Sequence, residues 1–154
     1  MSCGKKFDSG NCVADILRDI ADAQTDIIDN GCITSCERSI ADLLGETAPT
    51  SENDTVPVIL YCKGDCKPFQ GFGVPEDDLW NAFGSFYFRV KSVDEDNCAV
   101  LELLRDPNDD DECPKSPADQ DTSHLRATGV CMTVDLDCFC HVTCLPAINA
   151  FDRV

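Results

Sequence analysis

The sequence predicts an α+β fold: an N-terminal two-helix segment followed by a mostly antiparallel, β-sandwich-like domain. Three observations carry that expectation. Apolar residues between 12 and 29 recur at helical spacing. From residue 58 onward the chain changes to short β-branched and aromatic runs separated by turn residues. The stretch from Val130 to Leu145 alternates residue by residue: Val130, Met132, Val134, Leu136, Cys138, Cys140, Val142 and Cys144 are all apolar or thiol, and the residues between them are mostly polar. A period of two means a strand with one buried and one wet face. On that reading Cys138, Cys140 and Cys144 point into a core and Cys131 points away from it.

The expected organisation follows in chain order. Residues 1–11 form a flexible tail carrying Cys3. Residues 12–45 form a helical hairpin. In its first helix Val13, Ile16, Leu17, Ile20, Ile27 and Ile28 make one stripe, Asp15, Asp19, Asp22 and Asp26 sit on the solvated side, and Ser9 or Asn11 caps the start. Thr34 and Glu37 fit a capping box opening the second helix, which runs to about Leu44 and ends at Gly45. The short turn between the two predicts an antiparallel pair. Residues 46–55, E-T-A-P-T-S-E-N-D-T, are a linker by composition.

Residues 56–148 are the β domain. Val58 to Cys62 is its first strand, and Lys63-Gly64-Asp65 reads as a hairpin turn that sets Cys62 beside Cys66. Lys67 to Val74 is the return strand, broken by Pro68, Gly71 and Gly73. A loop carries Trp80, and then Ala82 to Val93 predicts a strand with Phe86, Phe88 and Val90 inward and Tyr87, Arg89 and Lys91 outward. Cys98 to Leu104 is apolar on both faces except at Glu102, which suits a central strand. Residues 105–121 read as a long exposed acidic loop with Cys113, and residues 149–154 as a C-terminal tail.

Composition narrows the function classes. The 154 residues suffice for one domain with a real core, so twelve cysteines exceed what folding requires. The formal charge of −17, from 29 acids against 12 bases, argues against nucleic acid and anionic membranes as partners. No run of about 18 apolar residues exists, so no membrane-spanning helix is expected. The first eight residues carry Lys5 and Lys6 but no apolar segment, which is not the pattern of a signal peptide. Cysteine richness suggests an oxidising compartment, whereas a missing signal suggests synthesis in a reducing cytosol. Thiols that bind metal, thiols that stay buried and reduced, or a cytosol later opened to oxidant would each reconcile the two.

Three chemistries compete for the thiols. Cys138, Cys140, His141 and Cys144 have the composition of a zinc cluster, and a cytosolic zinc-binding module is the alternative function. Their spacing is not that of a zinc knuckle, and no C-x-x-C occurs in the chain. A Cys/His nucleophile pair could be drawn from His124 or His141, but nothing marks one cysteine as special, and no phosphate-cradling glycine loop is present. The chain is therefore expected not to be an enzyme, and no cofactor is expected. Disulfides are the third chemistry. Candidates for bonds between molecules are Cys3, Cys12, Cys32, Cys113 and Cys131; candidates for internal bonds or buried thiols are Cys36, Cys62, Cys66, Cys98, Cys138, Cys140 and Cys144. Cys138 and Cys140, two apart on one strand, would lie about 6.7 Å apart at Cα, near the upper limit for bridging.

M-S-C-G at the start, C-V-x-D-I-L in the first helix, F-Y-F-R-V-K-S-V-D-E-D-N-C-A-V-L at 86–101 and C-M-T-V-D-L-D-C-F-C-H-V-T-C-L at 131–145 resemble the spore coat protein CotY/CotZ family, which includes the exosporium protein ExsY. The resemblance spans nearly the whole chain. It implies a structural, self-assembling protein of the outer spore coat, crust or exosporium that forms hexagonal two-dimensional lattices reinforced by disulfides. The implied partners are further copies of itself, as a hexamer and an extended array, and other spore coat or exosporium proteins. It also answers the compartment question, since such a protein would be made in the mother-cell cytoplasm and meet oxidant when that cell lyses. It does not say which cysteines bridge which molecules.

Overall fold

In the computed structural model, the structure describes residues 10–28 and 53–151, with the side chains of residues 25–28 left aside. One α-helix and seven strands make up this part: α1 (Cys12–Ile28), β1 (Val58–Cys62), β2 (Gly71–Gly73), β3 (Phe83–Ser85), β4 (Phe88–Val93), β5 (Cys98–Arg105), β6 (Arg126–Asp135) and β7 (Phe139–Cys144). Five strands form one antiparallel sheet in the order β6-β5-β4-β1-β7, and β2 and β3 form a separate antiparallel ribbon.

The mostly antiparallel β expectation fits this architecture, but the two-helix N-terminal segment does not. Among the described residues there is one α-helix, and the second, expected from Thr34 to Leu44, lies outside them. The described helix packs on the sheet instead. Val13, Ala14, Leu17 and Ala21 bury its apolar stripe in the same core as Val58 and Leu60 of β1 and Phe88 and Val90 of β4. An amphipathic helix needs one apolar surface to cover, and here the sheet supplies it. Asn11 caps the helix by accepting from the Ala14 backbone N–H at 3.1 Å. Asp15, expected on the wet side, is buried and lies 3.6 Å from Arg18.

The ribbon covers the rest of that sheet face. A Cβ added at Gly71 would sit 2.7 Å from the Met132 sulfur and 2.8 Å from the Phe88 ring, so only glycine lets β2 lie this close. The opposite sheet face carries a second, smaller core of Ile59, Phe86, Tyr87, Leu104, Leu125 and Ala150. It is closed by the segments that precede β6 and follow β7. Two expectations change as a result. The strand over 82–93 is interrupted at Phe86 and Tyr87, and Tyr87 and Arg89 are buried rather than outward. Tyr87 donates its hydroxyl to the Pro117 carbonyl at 2.9 Å, and Arg89 Nε donates to Thr55 Oγ1 at 3.2 Å. The 105–121 segment, expected as an exposed loop, is pinned at its end by buried Gln120.

Candidate functional site: the thiol surface

The stretch from Val130 to Leu145 is two strands, not one. Alternation holds through β6, where Val130, Met132 and Val134 pack against the main core and Cys131, Thr133 and Asp135 are exposed. At Asp135 the chain turns. The Asp135 carboxylate accepts from the Asp137 backbone N–H at 2.9 Å and opens a single 3₁₀ turn over Leu136–Cys138, with Leu136 buried. The chain re-enters the sheet as β7 on the other edge. Phe139 is buried and pairs with Cys62, Val142 pairs with Leu60, and the register shifts between them. Cys140 lies within that bulge, and its thiol points toward the carbonyls of Tyr61 (3.8 Å) and Cys62 (3.6 Å).

This geometry overturns the expected split of thiols. Cys138, Cys140 and Cys144 are exposed, as is Cys131, so the three are not shielded core residues. The turn absorbs Cys138, the bulge displaces Cys140, and Cys144 lies at the end of an edge strand.

Eight cysteines among the described residues are free thiols. Cys66, Cys113, Cys131, Cys138, Cys140 and Cys144 are exposed, and Cys62 and Cys98 are partly buried. Cys12 is exposed and takes part in a disulfide. Cys3, Cys32 and Cys36 lie outside the described residues. The turn after β1 gathers several of the eight. Cys66 adopts a left-handed conformation (φ 57°), and its N–H reaches the Cys62 carbonyl at 3.2 Å. Across the sheet, Cys62 N–H bonds to Lys67 rather than to Cys66. Lys63 N–H donates to the Cys138 carbonyl at 2.8 Å, which ties the turn to the segment after β6. Cys138 and Cys140 lie near Cys62. The Cys62 thiol is pushed up first by burial, then by Asp65 and by those two sulfurs.

The remaining thiols are dispersed. Cys131 sits opposite Glu102 on the second sheet face, and burial is the main cause that raises it, with Lys91 acting in the other direction. Burial also raises Cys144. Cys98 opens β5, and the Asp94 carboxylate is the main cause of its raised thiol. Cys113 is exposed on the loop whose preceding residue, Glu112, accepts from the Gly84 N–H.

His141 packs edge-on against Tyr61, and His124 faces Asp106 at 4.0 Å; among the described residues neither bonds a thiol. No group of three or more His, Cys, Asp or Glu side chains among the described residues could hold a metal ion. No described helix is long and apolar enough to cross a membrane. An open, mostly polar cleft of about 500 Å³ lies at the start of α1, lined by Cys12, Lys63, Asn97, Asp137 and Cys140 with the buried Val13 and Phe139 beneath. Sequence reasoning missed this cleft because it joins residues 12, 63 and 140, which no local pattern connects.

The model of the family described as spore coat protein Z matches residues 1–147. Spore coat protein Z of Bacillus subtilis (strain 168) is 32% identical over 142 residues, covering 89% of this chain and 90% of that protein. No solved structure matches the chain. A family match over nearly the full length settles the question of kinship: the chain belongs to the spore coat protein Z family.

Proposed function

We propose that this protein is a self-assembling structural subunit of an outer spore layer (coat, crust or exosporium), forming a hexagonal two-dimensional lattice that disulfides between subunits then reinforce. Family membership supports the coarser part, a structural role in the spore coat in company with other coat proteins. The observation that carries the finer part is the placement of the thiols. Six exposed, unpaired cysteines are spread over turns, a bulge, an acidic loop and both sheet edges. Internal staples would be paired and catalytic thiols would be clustered with a base. Exposed unpaired thiols on several sides of one subunit suit bonds to several neighbours.

Non-covalent contacts set the lattice geometry in this scheme and disulfides lock it, because reduced protein must assemble before oxidant arrives. Electron microscopy of purified protein with and without reductant tests it, together with a variant carrying serine at every cysteine. Arrays are expected from reduced wild type and from the serine variant, and only oxidised wild-type arrays should survive denaturant. If oxidised wild type alone forms arrays, covalent bonds build the lattice and the order is reversed. If no condition yields arrays, the self-assembly reading falls.

A further inference from the structure

The five-stranded sheet ends at β7, which pairs with β1 on one side only. Leu145 N–H donates to the Pro57 carbonyl at 2.8 Å. The alternation of an antiparallel ladder then turns the backbone groups of His141 and Thr143 toward β1 and those of Val142 and Cys144 away from it. The ladder leaves the N–H and C=O of Val142 and Cys144 without a partner among the described residues. The other edge, β6, is partly covered. There Ala127 N–H donates to the Ala150 carbonyl at 2.9 Å, and Arg126 donates to the Asn149 carbonyl at 2.6 Å.

An unpaired row of N–H and C=O groups recruits another strand, and native sheets protect such edges with charges, prolines or bulges. β7 has little of this protection. From Cys138 to Ala150 there is no Asp, Glu, Lys or Arg, in a chain of formal charge −17. Two copies of this edge can therefore meet without opposing like charges. The bulge lies at the Phe139 end, and His141 to Cys144 keep a regular register with β1. Proline enters only at residue 146, beyond the strand. The thiols are placed symmetrically: Cys140 and Cys144 are exposed, free and each two residues from Val142. Cys140 lies beside Cys12 and Val13 of α1, and Val142 packs on the main core. With a period of two from Val142 to Cys144, all three residues lie on the helix side of the sheet.

We propose that β7 of one copy pairs antiparallel with β7 of a second copy about a two-fold axis at Val142, which sets Cys140 of each opposite Cys144 of the other and makes these two the cross-linking thiols. This rests on the self-assembly reading and names one of its contacts. Opposed residues of a hydrogen-bonded antiparallel pair lie about 5.5 Å apart at Cα, inside the range a disulfide spans. Within one chain the same two cysteines lie about 13 Å apart along the strand, too far to bond. A centre at Thr143 would set Pro146, which has no N–H, against Cys140. A centre at His141 would set Cys144 against Cys138 in the 3₁₀ turn. The oxidant is a small disulfide. The Cys140 thiolate attacks it, forms a mixed disulfide and releases one small thiol; the Cys144 thiolate of the second copy attacks that mixed disulfide and releases the other. Two protein thiols give up two electrons to one small disulfide, and their protons end on the two released thiols. The contact is isologous and closes on itself, so other contacts extend the array.

Two variants test the pairing. Cys144→Ser keeps only Cys140 of the pair, and Cys140→Ser keeps only Cys144. One is labelled with nitrogen-15, both are reduced and then exposed to oxidised glutathione, and the chains are cleaved after Phe139 and Leu145. Neither variant alone should link its 140–145 peptide to a second copy of that peptide. An equal mixture should, with one labelled and one unlabelled peptide in every linked pair. Adding His141→Glu with Thr143→Glu to both sets carboxylates opposite one another and should abolish the link; His141→Lys with Thr143→Glu should restore it, with unchanged circular dichroism. A mixture that yields no linked pair overturns the proposal. So do pairs that form equally within either variant alone, pairs that survive the glutamate changes, or a block that the lysine exchange fails to lift. Oxidised wild-type arrays that hold no such bond overturn this contact and leave the self-assembly reading standing. The bond in a protein that forms arrays under no condition supports the contact and overturns the self-assembly reading instead.

Discussion

Gln120 shows how much a single side chain can organise here. It is buried; its Oε1 accepts from Phe86 N–H at 2.9 Å, and its Nε2 reaches Ser85 Oγ at 2.9 Å and the Leu104 carbonyl at 3.3 Å. It thereby satisfies backbone groups left open where β3 breaks from β4. Gln120→Ala should cost about 1–3 kcal/mol, the penalty for orphaned buried polar groups, as measured by urea denaturation. A cost near zero would mean that water replaces the amide. Nothing in the local sequence D-Q-D marks this glutamine as buried, because its partners come from residues 85, 86 and 104. The thiols give a second residue-scale expectation. Cys62, Cys98, Cys131 and Cys144 all have raised thiol pKa values, so folding favours their protonated form. That stabilisation is present below the ordinary thiol value of 9.0 and is lost as pH climbs through the raised values. At Cys98 the leading cause is Asp94, whose Oδ1 also accepts from the Cys98 N–H at 2.9 Å. Asp94→Asn keeps an acceptor and removes the charge. It should speed alkylation of Cys98 at pH 8 while leaving Cys144 unchanged, read by peptide mass mapping. Equal rates in both proteins would show that Asp94 does not control this thiol.

At the scale of elements, the stretch from 130 to 145 separates what the sequence reveals from what it hides. Hydrophobic alternation located the second half of β6, from Val130 to Asp135, and the apolar run at 98–104 located the interior strand β5. The first helix was legible from its stripe and its Asn11 cap. Alternation failed at Leu136 because an aspartate side chain, not a glycine or proline, ends the strand there. Every even residue across the break happens to be apolar or thiol, so the pattern carried no sign of the turn. The bulge at Cys140 then shifted the phase again. Exposure of Cys138 and Cys140 was therefore set by two irregularities that a period of two cannot register. Leu136 is the anchor of the turn, fully buried among Val13, Phe139 and other residues of the main core. Leu136→Ala should destabilise the fold by about 2–5 kcal/mol. Because the turn leads into β7, the same change should raise hydrogen exchange in Phe139–Cys144 more than in β4. Uniform exchange across the sheet would show that β7 is held by its pairing with β1 alone.

At the scale of the whole molecule, charge opposes every contact between copies. Each chain carries a formal −17. Two electrostatic effects then compete as salt is added. Repulsion between whole subunits acts over long distances and is screened strongly: the screening length falls from about 30 Å at 0.01 M to about 8 Å at 0.15 M. Attraction between opposite charges brought together where two copies touch would act at short range, where screening is weaker. The long-range term should dominate the change. Under reductant, the critical concentration for assembly is expected to fall between 0.01 and 0.15 M salt and then level off, as followed by light scattering and sedimentation. Lowering the pH toward the isoelectric point of about 4.1 should act in the same direction by removing net charge. Arrays that dissolve steadily with salt from the outset would reverse this ranking. They would mean that opposite charges at the contact contribute more than the repulsion between subunits.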